Sequence, residues 1–362
     1  MVCISNAWSM HTERSHFSVT QKNSEASEAP LTVTSAPGPS SSPSTPRGAV
    51  VLQCGASFQQ RWYGRLGNNI LSILNAALDA EIKGLDFLLK DCSHSILNLA
   101  PYDYYSRQNS RKTAIKQILT PAEAFYINIY NYPQELEGLE LILPFPAACC
   151  SRKRILTPLL EKFYSDTAAL KYSPDVLVMH IRSGDIFDRS RPAEHRYSPP
   201  PLAYYQKVIA EHGSRHSSSG SPSIVIVTET DHMSPLVEAL LRLYPPGTIT
   251  LQAGTLEEDV AVVLGARHLV ASQGTFAYAL ALASPNLETL YMFNNIVHAL
   301  DERAFWCDVN KVYSYAPNAG EYIGRWELEK WTASSEQIQY LLDYPAENLN
   351  RTALESNTGY CE

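Results

Sequence analysis

Nowhere in the 362 residues is there a run of roughly 18 to 20 apolar residues long enough to span a membrane as a helix. The first residues also lack a signal-peptide core, because Asn6, His11, Glu13 and Arg14 interrupt their apolar content. As written the chain carries no targeting device, which predicts a cytoplasmic protein if this N-terminus is complete. There is no excess of positive charge either. The formal net charge of -8 argues against a nucleic acid backbone as the main partner, although basic residues clustered locally can still bind an anion. The seven cysteines form no C-x-x-C pair and share no zinc-site spacing with histidine, so no metal is expected from them. They read as buried thiols, with one or two disulfides if the protein is luminal. Neither G-x-G-x-x-G nor G-x-x-x-x-G-K-[ST] occurs, which removes the ordinary dinucleotide and triphosphate fingerprints. No D-x-D pair and no sequence repeat is present.

What the chain does contain is an ordinary globular composition, 45% hydrophobic and 18% charged, enough for a large core without covalent staples. Residues 1–47 are the exception. Ser24 to Arg47 is dominated by Ser, Pro, Thr and Ala, which cannot bury enough apolar surface to offset ordering entropy, so this tail is expected to be disordered. After it, "GAVVLQC" reads as a strand, "NNILSILNAALDAEIKG" as a helix closed by Gly84, and "LDFLLK" as a second strand. Ser93 to Ser165 is less regular. From Val176 to Phe293 strands and helices alternate without a break, as in an α/β domain built on a parallel sheet. The expected architecture is therefore α/β with two Rossmann-like domains, residues 48–170 and 171–300, facing each other across a cleft. Residues 301–362, with Trp326, Trp331 and "EQIQYLLDY", are expected to pack back across the pair.

In open α/β sheets ligands sit beyond the carboxyl ends of the strands, and four polar features fall there. "YGRLGNN" (Tyr63 to Asn69) places two glycines, Arg65 and Asn68 at the start of the first helix. "VLVMHIRSGDIF" (Val176 to Phe187) ends a buried strand with His180, Arg182 and Asp185, and Arg189, Arg191, His195 and Arg196 make the following loop basic. An arginine there offers a planar fork of donors matched to phosphate oxygens; a solvated turn that closes the strand is the competing reading. "TETD" (Thr228 to Asp231) either accepts hydrogen bonds from a ribose or base, or caps the helix after it. "SQGTFAYALA" brings Ser272, a glycine, Thr275 and Phe276 to another helix start, where backbone amides make an anion cradle or the threonine is simply a cap.

Taken in order, "GRLGN", the H-x-R-x-G-D of "HIRSGD" and the S-x-x-T-F of "SQGTF" resemble the GDP-fucose-dependent fucosyltransferase superfamily, which contains the protein O-fucosyltransferases and the α-1,2- and α-1,6-fucosyltransferases. The resemblance spans Tyr63 to about Ala281. It implies a GT-B type fold and an inverting transfer of fucose from GDP-fucose to a hydroxyl of a glycan or protein, without a metal or other cofactor. On the matching positions, Arg182 would neutralise the departing diphosphate, with His180 and Asp185 positioning that arginine or the nucleotide. Ser272, Thr275 and Phe276 would line the donor pocket, and Arg65, Gly67 and Asn68 would face the donor from the first domain. Asp185, Asp188 and Glu194 are the candidates for the base that activates the acceptor. Tyr104, Tyr105 and Tyr126 could stack on sugar rings, although packing accounts for most such tyrosines. The family also implies a secretory lumen, and Asn350-Arg351-Thr352 is a sequon compatible with one. One position departs from the pattern: where the common form H-x-R-R-x-D has a second arginine, this chain has Ser183. A non-catalytic relative that binds nucleotide or glycan is the rival that this departure favours. An unrelated Rossmann-like enzyme using a dinucleotide or adenosyl cofactor is a second rival, disfavoured by the absent glycine fingerprint.

Overall fold

In the computed structural model the described residues are 48–55, 62, 64–105, 113–127, 145–164, 172–190, 199–216, 223–294, 306–318, 322 and 331–354. The Ser/Pro-rich tail, Arg191, Glu194, His195, Arg196, Trp326 and the side chain of Tyr126 lie outside them, as does the center of the Ser/Gly patch between residues 217 and 222.

The first β-branched run forms strand β1 (Ala49–Gln53), buried on both faces, and the chain crosses through helix α1 (Leu66–Ile82) to β2 (Asp86–Lys90). Gly84, at φ +64, ends α1 in the left-handed conformation that lets the Leu85 amide reach back to the Ala80 carbonyl. Strand β3 (Ile115–Leu119) pairs with the other side of β1, giving a three-stranded parallel sheet in the order β2-β1-β3. β3 fell in the stretch that the sequence left irregular, because most of its side chains are exposed at the sheet edge. Helices α2 (Pro121–Ile127) and α3 (Phe145–Leu159) follow, and both pack on α1.

The second sheet has seven strands. Along the chain come β4 (Val176–His180), α4 (Leu202–His216), β5 (Ser223–Val227), α5 (Pro235–Leu243), β6 (Ile249–Gln252), α6 (Leu256–Gly265), β7 (His268–Ala271), α7 (Thr275–Ala283) and β8 (Thr289–Phe293). Residues 301–362 then contribute β9 (Lys311–Pro317), α8 (Ser335–Asp343) and β10 (Leu349–Leu354). β9 and β10 extend the large sheet, and α8 packs on α4 and α5. The order is β10-β9-β8-β7-β4-β5-β6, parallel throughout except for β10.

Read from β4, that order is the doubly wound one: β4, β5 and β6 build outward in one direction, and β7, β8 and β9 in the other. The direction reverses between β4 and β7, and it is at the carboxyl ends beside such a reversal that open α/β sheets bind ligands. His180 ends β4, and Ser272 follows the last residue of β7. The topology thus brings two of the four polar features to the place where this fold binds ligands.

One apolar cluster runs from Val50, Leu52 and the buried face of α1 to Val178, Leu269, Ala277 and Leu280, so α1 and α7 share a core. A second cluster, from Leu177 and Met179 to Tyr204, Tyr315 and Trp331, fills the other face of the large sheet. Disulfides join Cys54 to Cys92 beyond the ends of β1 and β2, and Cys149 in α3 to Cys307 before β9.

Candidate functional site

The site is built where α1 meets α7. Gly67, in the first turn of α1, lies so close to the first turn of α7 that a Cβ there would sit 2.4 Å from the Thr275 carbonyl and 2.6 Å from the Phe276 nitrogen. Only glycine allows this approach. The Thr275 hydroxyl donates to the Asn68 side-chain carbonyl across the junction. The two helix starts are locked side by side.

Their caps set them apart from α2, α5, α6 and α8. Ser234 caps α5, Thr255 and Glu258 make a reciprocal capping box on α6, Ser334 and Gln337 make one on α8, and Thr120 and Glu123 do the same at α2. The α1 cap position is Arg65 and the α7 cap position is Gly274, and neither supplies a side-chain acceptor. First-turn amides with no side-chain acceptor carry the positive end of the helix dipole and are suited to an anion.

Two arginines reach the same place. Arg182 extends from the end of β4, and a Cβ added to Gly274 would stand 3.6 Å from its Nη1. Its guanidinium makes a two-point contact with Asp185, 2.9 Å from Nη2 and 3.4 Å from Nε. Arg65 comes from the α1 cap and pairs with Glu229 at 2.5 Å and with Asp185 at 3.5 Å. Asp185 therefore bridges the two guanidinium groups. Arg65 is 56% exposed and Glu229 47%, so their ion pair is worth at most about 1 kcal/mol and an incoming dianion can replace it.

The turn that presents Asp185 depends on Gly184. It holds φ +65, and any side chain on it would collide with a Glu229 carboxylate oxygen. Its amide donates to the carbonyls of Asp231 and His232, 3.1 and 3.2 Å away. Ser183 points the other way. Its hydroxyl is fully buried, lies 2.7 Å from the Thr228 hydroxyl and accepts from the Ser234 amide at 2.9 Å. The position that departs from the H-x-R-R-x-D pattern is thus an interior tie between the ends of β4 and β5 and the start of α5.

His180 ends β4, two residues before Arg182. One ring nitrogen is 2.9 Å from the Ser272 hydroxyl, the Phe276 ring lies 5.1 Å away, and the Ser272 amide donates to the His180 carbonyl. Burial, reinforced by Arg182 and Arg65, holds its pKa down to about 3, so the ring is uncharged near neutral pH. Its polar contact is with Ser272, just beyond β7.

The structure thus gathers Arg65, Gly67, Asn68, His180, Arg182, Asp185, Ser272, Thr275 and Phe276 around one point. Glu229 joins them, and the cap alternative for "TETD" does not apply because Ser234 caps α5. Asp188 accepts from both the amide and the hydroxyl of Ser190, at 2.9 and 2.6 Å. Arg189 donates to the Ala333 carbonyl and the Trp331 indole donates to that of Ile186, so the C-terminal segment braces the same loop. Tyr104 is buried, whereas Tyr105 is exposed and donates to Asp91 at 2.8 Å.

No protein-family model matches the chain, and no curated protein matches it. Among solved structures, the chain is similar to a crystal structure of POFUT1 in complex with GDP-fucose, at 12% identity and a TM-score of 0.35, over 69% of this chain and 98% of that one. A POFUT1 structure in complex with GDP is similar at 11% identity and a TM-score of 0.36, over 68% and 98%. A mutant of Arabidopsis thaliana FUT1 in complex with GDP is similar at 9% identity and a TM-score of 0.36, over 78% and 72%.

Proposed function

We propose that this chain is a glycosyltransferase that takes a sugar from a GDP-sugar, with GDP-fucose the donor that the order of its sequence motifs favours, and places it on a hydroxyl of a glycan or glycoprotein. The observation that carries this reading is the convergence of Arg182, Arg65 and the α1 and α7 starts at the switch point of a doubly wound sheet. That constellation brings two guanidinium groups and two helix starts to where an anionic diphosphate would lie.

In the transfer, the acceptor oxygen bonds to the anomeric carbon as the bond from that carbon to the diphosphate oxygen breaks, inverting the center. The acceptor proton passes to a carboxylate. Negative charge grows on the leaving diphosphate, where Arg182 and the α7 amides meet it. Asp185, held to Arg182 at two points, fixes the guanidinium plane, and His180 with Ser272 supports it. Loss of such a charge contact typically lowers turnover on the order of 100-fold or more. The chemistry asks for no metal at this place. The bonded cysteines support an oxidising compartment such as the secretory lumen.

One observation favours a second reading, a non-catalytic binding protein: both arginines already face carboxylates, Arg182 facing Asp185 and Arg65 facing Glu229. A thermal-shift comparison of GDP, UDP and GDP-fucose, followed by a transfer assay on Arg182→Ala, separates the two. Stabilisation by GDP and GDP-fucose with transfer that the variant loses supports the enzyme. Binding with neither transfer nor donor hydrolysis selects the binding protein, and indifference to all three ligands rejects both.

A further inference from the structure

At the opposite end of the large sheet three histidines meet. His212 and His216 lie one turn apart near the end of α4, on one face of the helix. His268 is the first residue of β7, on the strand's other end from Ser272, roughly 13 Å from the anion site by strand rise. The rings are mutually packed, with centroids 4.7 Å apart for His212 and His216, 4.7 Å for His212 and His268, and 4.5 Å for His216 and His268. One ring nitrogen from each lies within 4.8 Å of the others.

We propose that His212, His216 and His268 form a structural binding site for a transition-metal dication of the Zn2+ class. His212 and His268 are fully enclosed, yet among the described residues neither nitrogen of the His268 ring has a hydrogen-bond partner, and the backbone of Asp175 lies beside the His212 ring. An enclosed imidazole with both nitrogens idle gives up interactions it had in water. A shared metal gives one nitrogen of each enclosed ring a partner. Two histidines at i and i+4 plus a third from a neighbouring strand make a three-nitrogen set that leaves a fourth position to water or another donor. Nitrogens around a tetrahedral zinc stand about 3.4 Å apart, so small ring rotations close the site.

The surroundings choose the kind of metal. Arg215, Arg267 and Lys311 lie around the cluster, with Asp175 and Glu288 as its acidic neighbours. Arg215 is paired with Glu211 at 2.9 Å and Arg267 with Glu288 at 2.5 Å, which leaves little negative charge for an incoming cation. A hard ion such as Mg2+ finds no oxygen cage among the described residues here. A metal that bonds to imidazole nitrogen does not need one. Its place, between the end of α4 and the start of β7, makes it a clamp of helix to sheet and keeps it apart from sugar transfer.

The test uses the full chain with any affinity tag removed and with metal stripped by chelator. At about 100 times its dissociation constant, Zn2+ should raise the melting temperature by roughly 3 to 8 °C, whereas Mg2+ should not. Co2+ should bind at one ion per chain by equilibrium dialysis and give visible absorption in the tetrahedral range. His216→Ala, at the partly exposed member of the trio, should lose the Zn2+ shift and the Co2+ band while melting near the stripped wild type. Should that variant fail to fold, His216→Phe keeps a packed ring without a ligand and is read in the same way. No Zn2+ shift in the wild type, or equal shifts in the wild type and the folded variant, overturns the proposal.

Discussion

Replacing Gly67 by alanine tests whether the junction of α1 and α7 builds the anion site. Helix propensity alone predicts a gain, because alanine is about 1 kcal/mol better than glycine in a helix interior. The packing predicts a loss. The added Cβ would stand 2.4 Å from the Thr275 carbonyl carbon and oxygen, where ordinary contact begins at 3.4 Å. Both partners are backbone in the first turns of buried helices, so no side chain can swing away and the helices must part by about 1 Å. Overpacking of this kind costs about 1 to 3 kcal/mol, and at a contact with backbone the upper end applies. The net expectation is a loss of about 1 to 2 kcal/mol in a denaturant melt. The displacement also pulls Asn68 from the Thr275 hydroxyl and Arg65 from Asp185 and Glu229, so GDP affinity should fall at least tenfold by calorimetry. Gly84→Ala serves as the control: it has the same positive φ cost to bear as any C-terminal glycine, but nothing lies within 4 Å of its Cβ, so it should lose stability without losing GDP. A Gly67→Ala protein that is more stable than the wild type and binds GDP equally well would refute the reasoning.

Three further expectations follow from the geometry. Ser183→Ala leaves the buried Ser234 amide without its acceptor and should cost about 1 to 3 kcal/mol, with GDP affinity within twofold of the wild type; a large affinity loss in a stable protein would mean that Ser183 faces the donor. His180, uncharged in the fold down to about pH 3 but with an ordinary value of 6.5 when unfolded, makes the unfolded chain bind the extra proton as pH falls below 6.5. Stability should therefore decline from pH 7 to 5.5 by on the order of 1 kcal/mol from this residue, and His180→Gln should melt with a correspondingly flatter pH dependence. Opening the Cys54–Cys92 bond by Cys54→Ser should lower stability by about 2 to 4 kcal/mol, since it closes a segment of 38 residues, whereas an unchanged melt would mean that the ends of β1 and β2 do not depend on it.

Much of this was legible in the sequence because parallel strands buried on both faces read as unbroken apolar runs. "GAVVLQC", "VLVMHI", "SIVIV", "HLVAS" and "LETLYMF" each contain the strand the fold builds, and the helices between them appear at the expected places. The strands that escaped lie where that signal fails. β3 and β10 are mostly exposed edge strands, and in β9 tyrosines alternate with small or polar residues. At the site, the strand-end position of His180 and Arg182 and the helix-start position of Thr275 were visible, because the alternation itself marks the carboxyl ends. The pairing of Arg65 with Glu229, 164 residues away, was not, nor was the inward turn of Ser183, since both depend on which strands become neighbours. The same is true of the histidine trio, whose third member comes from another element altogether.

The central claim is that Arg182 recognises a diphosphate, and a comparison of GDP with GMP tests it most directly. Calorimetric titration of the wild type should give tighter binding of GDP than of GMP by at least tenfold, and Arg182→Ala should bring the two ligands to within about threefold of each other while the protein stays folded. Equal affinities for GDP and GMP in the wild type, or an undiminished preference for GDP in Arg182→Ala, would contradict the account.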